Sequence, residues 1–202
     1  MSTRHPPYTL LPTSPHFGVL WEAAMKSCKY HLRRMIGTQI LTFEEMATLV
    51  SRIEAILNSR AITPQSSSPL DLNPLTPGHF LVGGPLVTIA EPDLTTTPMN
   101  RLHRWQLFTL FHQSFWTRWA SEYLASLQNR TKWILSQLNI EVGDLVIVRC
   151  PNSPPAAWKL GRVEGTHPGD DGVVRVVTVR TTDEMFKRPV VKLVVLSTSD
   201  AP

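Results

Sequence analysis

The sequence predicts an α+β protein, helical first and β-rich at the end. Two observations carry this. Apolar residues recur at helical spacing in three stretches before residue 136, and after Asn139 short β-branched segments alternate with Pro, Gly and Asp turns. With 202 residues, 42% of them hydrophobic, there is material for one or two domains with their own cores.

The first helix is expected over Leu20 to Ile36. Trp21, Met25, Cys28, Leu32 and Ile36 recur at steps of four, three, four and four and form one apolar stripe. Beside it Glu22, Lys26, Lys29 and Arg33 share a second face, and Arg34 enlarges the basic cluster. By itself this face reads as a solvated surface. An acid in the first turn and bases in the last suit the helix dipole, and Glu22 with Lys26 is a favourable i,i+4 pair. Gly37 marks the helix end.

A second helix starts at Thr42, where Glu45 three residues on completes a capping-box signature. Met46, Val50, Ile53 and Leu57 are its expected apolar face, packed on the first helix, and Asn58-Ser59-Arg60 its end. From Ala61 to Met99 the chain is rich in Pro, Ser, Thr and Gly and reads as a loop. A short helix at Pro77 to Val82 is expected within it, opened by Thr76-Pro77. His79 has no partner at metal-ligand spacing and reads as structural.

A long helix follows, from about Asn100 to Leu135. Phe108, Phe111, Phe115, Trp119 and Tyr123 form its stripe, which must pack on the earlier helices, associate with a second copy, or invite aggregation. Strands are expected at Leu145 to Arg149, Trp158 to Glu164, Gly172 to Arg180 and Arg188 to Leu196, with a turn at Pro168 to Gly172. Asp170 and Asp171 in that turn lack the ligand spacing of a calcium loop. Together these segments suggest a small SH3-like barrel.

Charge and composition narrow the function classes. The net charge is only +4, with seven Lys/Arg against four Asp/Glu in residues 1 to 60 and eight of each in residues 140 to 202. Any case for nucleic acid therefore rests on local placement. No apolar run approaches the length of a membrane span, and the start of the chain has no signal-like segment. Cys28 and Cys150 lie far apart and outside any paired Cys/His spacing, so no structural metal is expected, and Cys28 fits an apolar stripe.

The runs PHFGVLWEAAMKSCKYHLRRMIG, LTFEEMATLVSRIEAILNSRAITP and LTPGHFLVGGPL resemble the end of the integrase core of BEL/Pao-type long-terminal-repeat retrotransposons. GDLVIVR, PPAAWKLGRVEGTHPGDDGVVRVVTVRT and KRPVVKL resemble the carboxy-terminal domain that follows it. The resemblance covers about residues 15 to 196, with its blocks in family order. It implies a disordered N-terminus over 1–14, the C-terminal remnant of an RNase-H-like core over 15–98, a connecting aromatic-rich helix over 99–139 and an SH3-like domain over 140–197.

In such integrases two Asp and one Glu hold two divalent ions that activate a water or a DNA 3′-hydroxyl for attack on a phosphodiester. Glu22 matches the family's Glu. Lys26 and Lys29 match basic positions that approach viral-end DNA in related retroviral enzymes, while Arg33 and Arg34 extend the stripe without a carried-over role. Gly18-Val19 stands where the family has Gly-Gly.

The two Asp belong on strands upstream, and residues 1 to 21 contain no acid. Glu44, Glu45 and Glu54 sit on another helix and are poor substitutes, and the zinc-binding module of full integrases is not represented. The expectation is a catalytically incomplete chain. Glu22 is then a residual catalytic residue and a metal ligand only if another chain completes the site. No cofactor is expected for this chain, against Mg²⁺ in an intact family member.

The resemblance makes Lys159, Arg162, Arg175 and Arg180 candidate phosphate contacts, against the alternative of solubilising charges on strand faces. Weak, non-specific DNA binding is the expected partnership, with self-association through the aromatic helix a second, no membrane contact, and a nuclear location if the family function survives. The rival reading is a host-adopted interaction module that uses the barrel and the aromatic helix to hold protein.

Overall fold

The computed structural model describes residues 19–66, 68, 70–128, 140–150 and 153–196. The N-terminal segment 1–14 and the expected end of the long helix lie outside them. The chain divides into two units, residues 1–39 and 40–202.

In the first unit helix α1 spans Val19–Ile36. Gly37 ends it in the left-handed region at φ 58°, its N–H reaching the Arg33 carbonyl at 3.2 Å. Along α1 the enclosed line is Cys28, His31 and Met35, with Leu32 and Ile36 half-buried. Met25, expected in the stripe, is exposed. The stripe is rotated by less than one residue, because positions 31 and 35 flank 32 and 36 on the same side of a 3.6-residue helix.

The second unit begins with α2, Phe43–Asn58. The Thr42 hydroxyl accepts the Glu45 N–H at 3.3 Å, and the Glu45 carboxylate accepts the Thr42 N–H at 2.8 Å, the reciprocal cap expected from sequence. The buried face differs from the expected one. Leu49, Ile53 and Ile56 are buried, whereas Met46 and Val50 are exposed. Apolar residues lie on two sides of this helix, so periodicity alone could not choose between them. The choice is made by packing on α4, Arg104–Leu127. Arg104 fixes the contact, with Nε and Nη2 on the two Glu45 carboxylate oxygens at 2.6 and 2.5 Å and Nη2 also on the Ile40 carbonyl at 2.8 Å.

Between them lie β1, Thr63–Pro64, paired antiparallel with β2, Pro74–Leu75, and then α3, Pro77–Val82, at its expected position. His79 has a structural job: its Nδ1 accepts the Thr76 N–H at 3.1 Å and lies 2.9 Å from the Thr76 hydroxyl, closing the first turn of α3.

Helix α4 buries Phe108, Phe111, Phe115 and Trp119, with Tyr123 half-buried, as the stripe predicts. Leu107, Leu110 and Trp116 are buried as well, so the enclosed face is far wider than one stripe. These rings pack inside the unit, while Trp105 at the start of α4 is exposed.

The last part is a five-stranded antiparallel sheet: β3 (Leu145–Val148), β4 (Leu160–Pro168), β5 (Val174–Arg180), β6 (Met185–Pro189) and β7 (Leu193–Val195), in the order β6-β5-β4-β3-β7. The edges β6 and β7 are not hydrogen-bonded to each other, so the expected barrel is an open sheet. The expected strand Arg188 to Leu196 is split. Pro189 has no N–H for a ladder, a 3₁₀ turn follows at Val190–Lys192, and β7 then returns to pair with β3. Strand β6, MFKRP, has little β-branched character and gave no signal.

All four residues of β3 are buried because both faces of this strand are covered. Val146 and Val148 join Val163, Val177, Val179 and Leu193 on one side, while Leu145 and Ile147 join Ala61, Leu124, Val194 and Leu196 on the other. Tyr123 and Trp158 pack against this second cluster.

Gly161 is required by close approach. A Cβ there would lie 2.4 Å from Val179 Cγ1 and 2.9 Å from the Arg180 carbonyl, whereas at Gly165 the only neighbour within 4 Å is Thr178 Cβ, at 4.0 Å. Gly161→Ala should therefore destabilise the protein by about 1–3 kcal/mol through overpacking. Gly165→Ala should change stability by less than about 1 kcal/mol, and urea unfolding of the two variants tests the contrast.

Candidate nucleic-acid interface

The basic face of α1 forms as the sequence places it. Glu22, Lys26, Lys29, Arg33 and Arg34 are all exposed. The first four follow steps of four, three and four along one helix face, and Lys26, Lys29 and Arg33 have no ion pair among the described residues. Arg34 is different: its guanidinium lies 4.9 Å from the centre of the Tyr30 ring and donates to the Tyr30 hydroxyl.

The four cations expected on the sheet are all engaged within the protein. Lys159 meets Glu184 at 3.0 Å, and Arg180 meets Glu164 at 2.5 Å. Arg175 holds Asp171 with two hydrogen bonds, at 2.9 and 2.6 Å. That contact, helped by the Val173 N–H, lowers the Asp171 pKa to about 2. The paired-Asp turn is thus an Arg-clamped turn.

Arg162 has to be withdrawn as a phosphate contact. It is 8% exposed, and its guanidinium donates to the carbonyls of Gly143 at 2.7 Å, Ser68 at 3.1 Å and Asp71 at 2.8 Å. It ties the 68–71 loop to the sheet. Strand alternation could not reveal this, because the loop that covers Arg162 comes from some 90 residues earlier in the chain.

Sequence reasoning passed over a different set of cations. Arg118 on α4, Arg149 after β3, Lys187 and Arg188 on β6, and Lys192 before β7 have no carboxylate partner among the described residues. Arg188 rests on the Phe186 ring at 4.6 Å, and Lys159 lies 5.3 Å from the same ring. Four of them lie in or next to strands and Arg118 lies within a helix, which is no signal that separates them from solubilising charge.

No group of three or more His, Cys, Asp or Glu able to hold a metal occurs among the described residues, and Glu22 by itself does not fit a two-ion site. A half-buried polar cluster joins α2, α4 and the loop residue Glu91 instead. Arg52 meets Glu91 at 2.6 Å, Thr109 donates to the same carboxylate oxygen at 3.3 Å, and Arg52 lies over the Trp105 ring at 5.0 Å. His112 is enclosed here with neither ring nitrogen in a full hydrogen bond. Burial first, and the Arg52 charge second, lower its pKa to about 4; Glu91 and the Arg52 main chain oppose the shift more weakly.

Residues 103–196 match a family of unknown function (DUF5641). The matched stretch, fewer than half of the residues, is similar to that family and takes in α4 and the whole five-stranded sheet. No curated protein and no solved structure matches the chain.

Arg162→Met should cost about 1–3 kcal/mol in urea unfolding, because three part-buried carbonyls lose the donor that ties them to the sheet. His112, whose folded pKa lies below its unfolded value near 6.5, binds fewer protons folded than unfolded between the two. Stability should therefore fall as pH drops from about 6.5 to about 4, by roughly 2 kcal/mol after discounting for screening. In His112→Leu that part of the pH dependence should vanish from the unfolding profile.

Proposed function

We propose that the chain is the carboxy-terminal part of a BEL/Pao-type retrotransposon integrase-like protein and that it binds DNA without sequence preference. The observation that carries this reading is the face of α1, where Lys26, Lys29 and Arg33 stand exposed in line with Glu22 and form no ion pair among the described residues. A line of cations on a helix can follow a phosphate backbone, and each phosphate neutralised releases a counterion.

Two further features support the same origin. The strand order β6-β5-β4-β3-β7 is a meander whose first strand also pairs with the last, with a 3₁₀ turn just before that strand, as in an SH3-like barrel. The capped helix α2 and the Pro-started α3 occupy the blocks that resemble the end of an RNase-H-like core. In this reading Glu22 ligates metal only in an assembly where another chain brings further carboxylates, and no reaction step is assigned to this chain.

The test is binding of the full chain to a short random-sequence DNA duplex across a salt series. The triple variant Lys26→Ala/Lys29→Ala/Arg33→Ala should bind at least about tenfold more weakly at moderate salt and flatten the slope of log K against log salt by about 2–3. Glu22→Gln should tighten binding slightly by removing a like charge from the phosphate-facing line. Unchanged affinity and slope in the triple variant would overturn the proposal.

A further inference from the structure

A groove between α4 and the segment entering β4 carries a second site, and it does not depend on the DNA reading. Its volume is about 380 Å³. Trp116, Leu124 and Trp158 contribute an apolar floor, and Arg118, Arg149 and Lys159 line it too, with no Asp or Glu among the lining residues. Lys159 is held by Glu184, but Arg118 has no ion pair among the described residues, and the contact of Arg149 with Ser121 is long at 3.5 Å.

The floor rules on the kind of ligand. Trp116 and Trp158 meet edge to face at 4.6 Å, and each indole N–H is engaged, on the Ser153 carbonyl at 2.8 Å and the Ser59 hydroxyl at 3.3 Å. Trp116 is 3% exposed. Neither ring is set as an open platform on which a base could stack, which is what single-stranded nucleic acid requires. An apolar side chain needs only the hollow, and carboxylates flanking it would find guanidinium groups that fork-bind them.

We propose that this groove binds an acidic, apolar peptide segment of a partner protein. One apolar side chain enters the hollow beside the half-buried Trp158, and flanking carboxylates pair with Arg118 and Arg149.

The probe is a short dye-labelled peptide alternating Asp and Glu with Leu and Phe, titrated with the full chain by fluorescence anisotropy. Arg118→Glu/Arg149→Glu should weaken binding at least about tenfold, or about 1.4 kcal/mol. Ala157→Trp, which fills the groove at an exposed lining residue without touching charge, should weaken it similarly, and it decides the matter should the charge reversal disturb folding. A peptide with its apolar residues changed to Ser should bind far less. Equal binding by both variants, equal binding of the Ser peptide, or displacement of the probe by oligothymidylate at matching affinity would each overturn the proposal.

Discussion

The second unit depends on one junction, the aromatic contact that docks α4 on the sheet. Trp119 stacks on Tyr123 at 5.1 Å, and Trp158 from the entry to β4 meets Trp116, Trp119 and Tyr123 at 4.6, 6.0 and 5.8 Å. The polar edges of these rings are answered as well. Tyr123 donates to the Ala61 carbonyl at 3.1 Å and Trp158 to Ser59, so the end of α2 is drawn to the same point. Large rings bring much buried area, and their N–H and O–H groups specify direction. Without this contact the second face of β3 would meet water, and a strand reading Leu-Val-Ile-Val could not be buried on both sides.

Around that junction the charges sort by what the fold needs. Arg52, Arg104 and Arg162 join segments distant in the chain, and Lys159, Arg175 and Arg180 neutralise acids on the sheet surface. On the sheet this leaves Arg149, Lys187, Arg188 and Lys192 without a carboxylate partner among the described residues. The line on α1, Arg118 and Arg149 beside the groove, and the cations of β6 and the turn before β7 are the charges the described residues leave to a partner.

Local signals were legible and long-range ones were not. The Thr42–Glu45 cap, the Gly37 stop, the Pro77 start of α3 and the aromatic stripe of α4 each depend on residues within a turn or two, and the structure has them where the sequence puts them. The buried face of α2 was misassigned because Met46 and Val50 compete with Leu49 and Ile56 until a partner chooses. Strand β6 escaped notice because its pairing with β5 comes from topology, with no propensity of its own behind it. The role of Arg162 depends on carbonyls of a distant loop. The exposure of Lys26, Lys29 and Arg33 followed from periodicity; the groove beside Trp158 is made by tertiary packing that no window of sequence contains.

The open sheet leaves β6 as an edge with backbone groups unpaired on one side. That edge carries Lys187, Arg188 and Pro189, all exposed. Two adjacent cations repel an identical strand, and a proline removes a donor from the ladder, so the edge resists strand addition. A sheet that never closes on itself is in this way a poor template for the strand-on-strand stacking of fibrils.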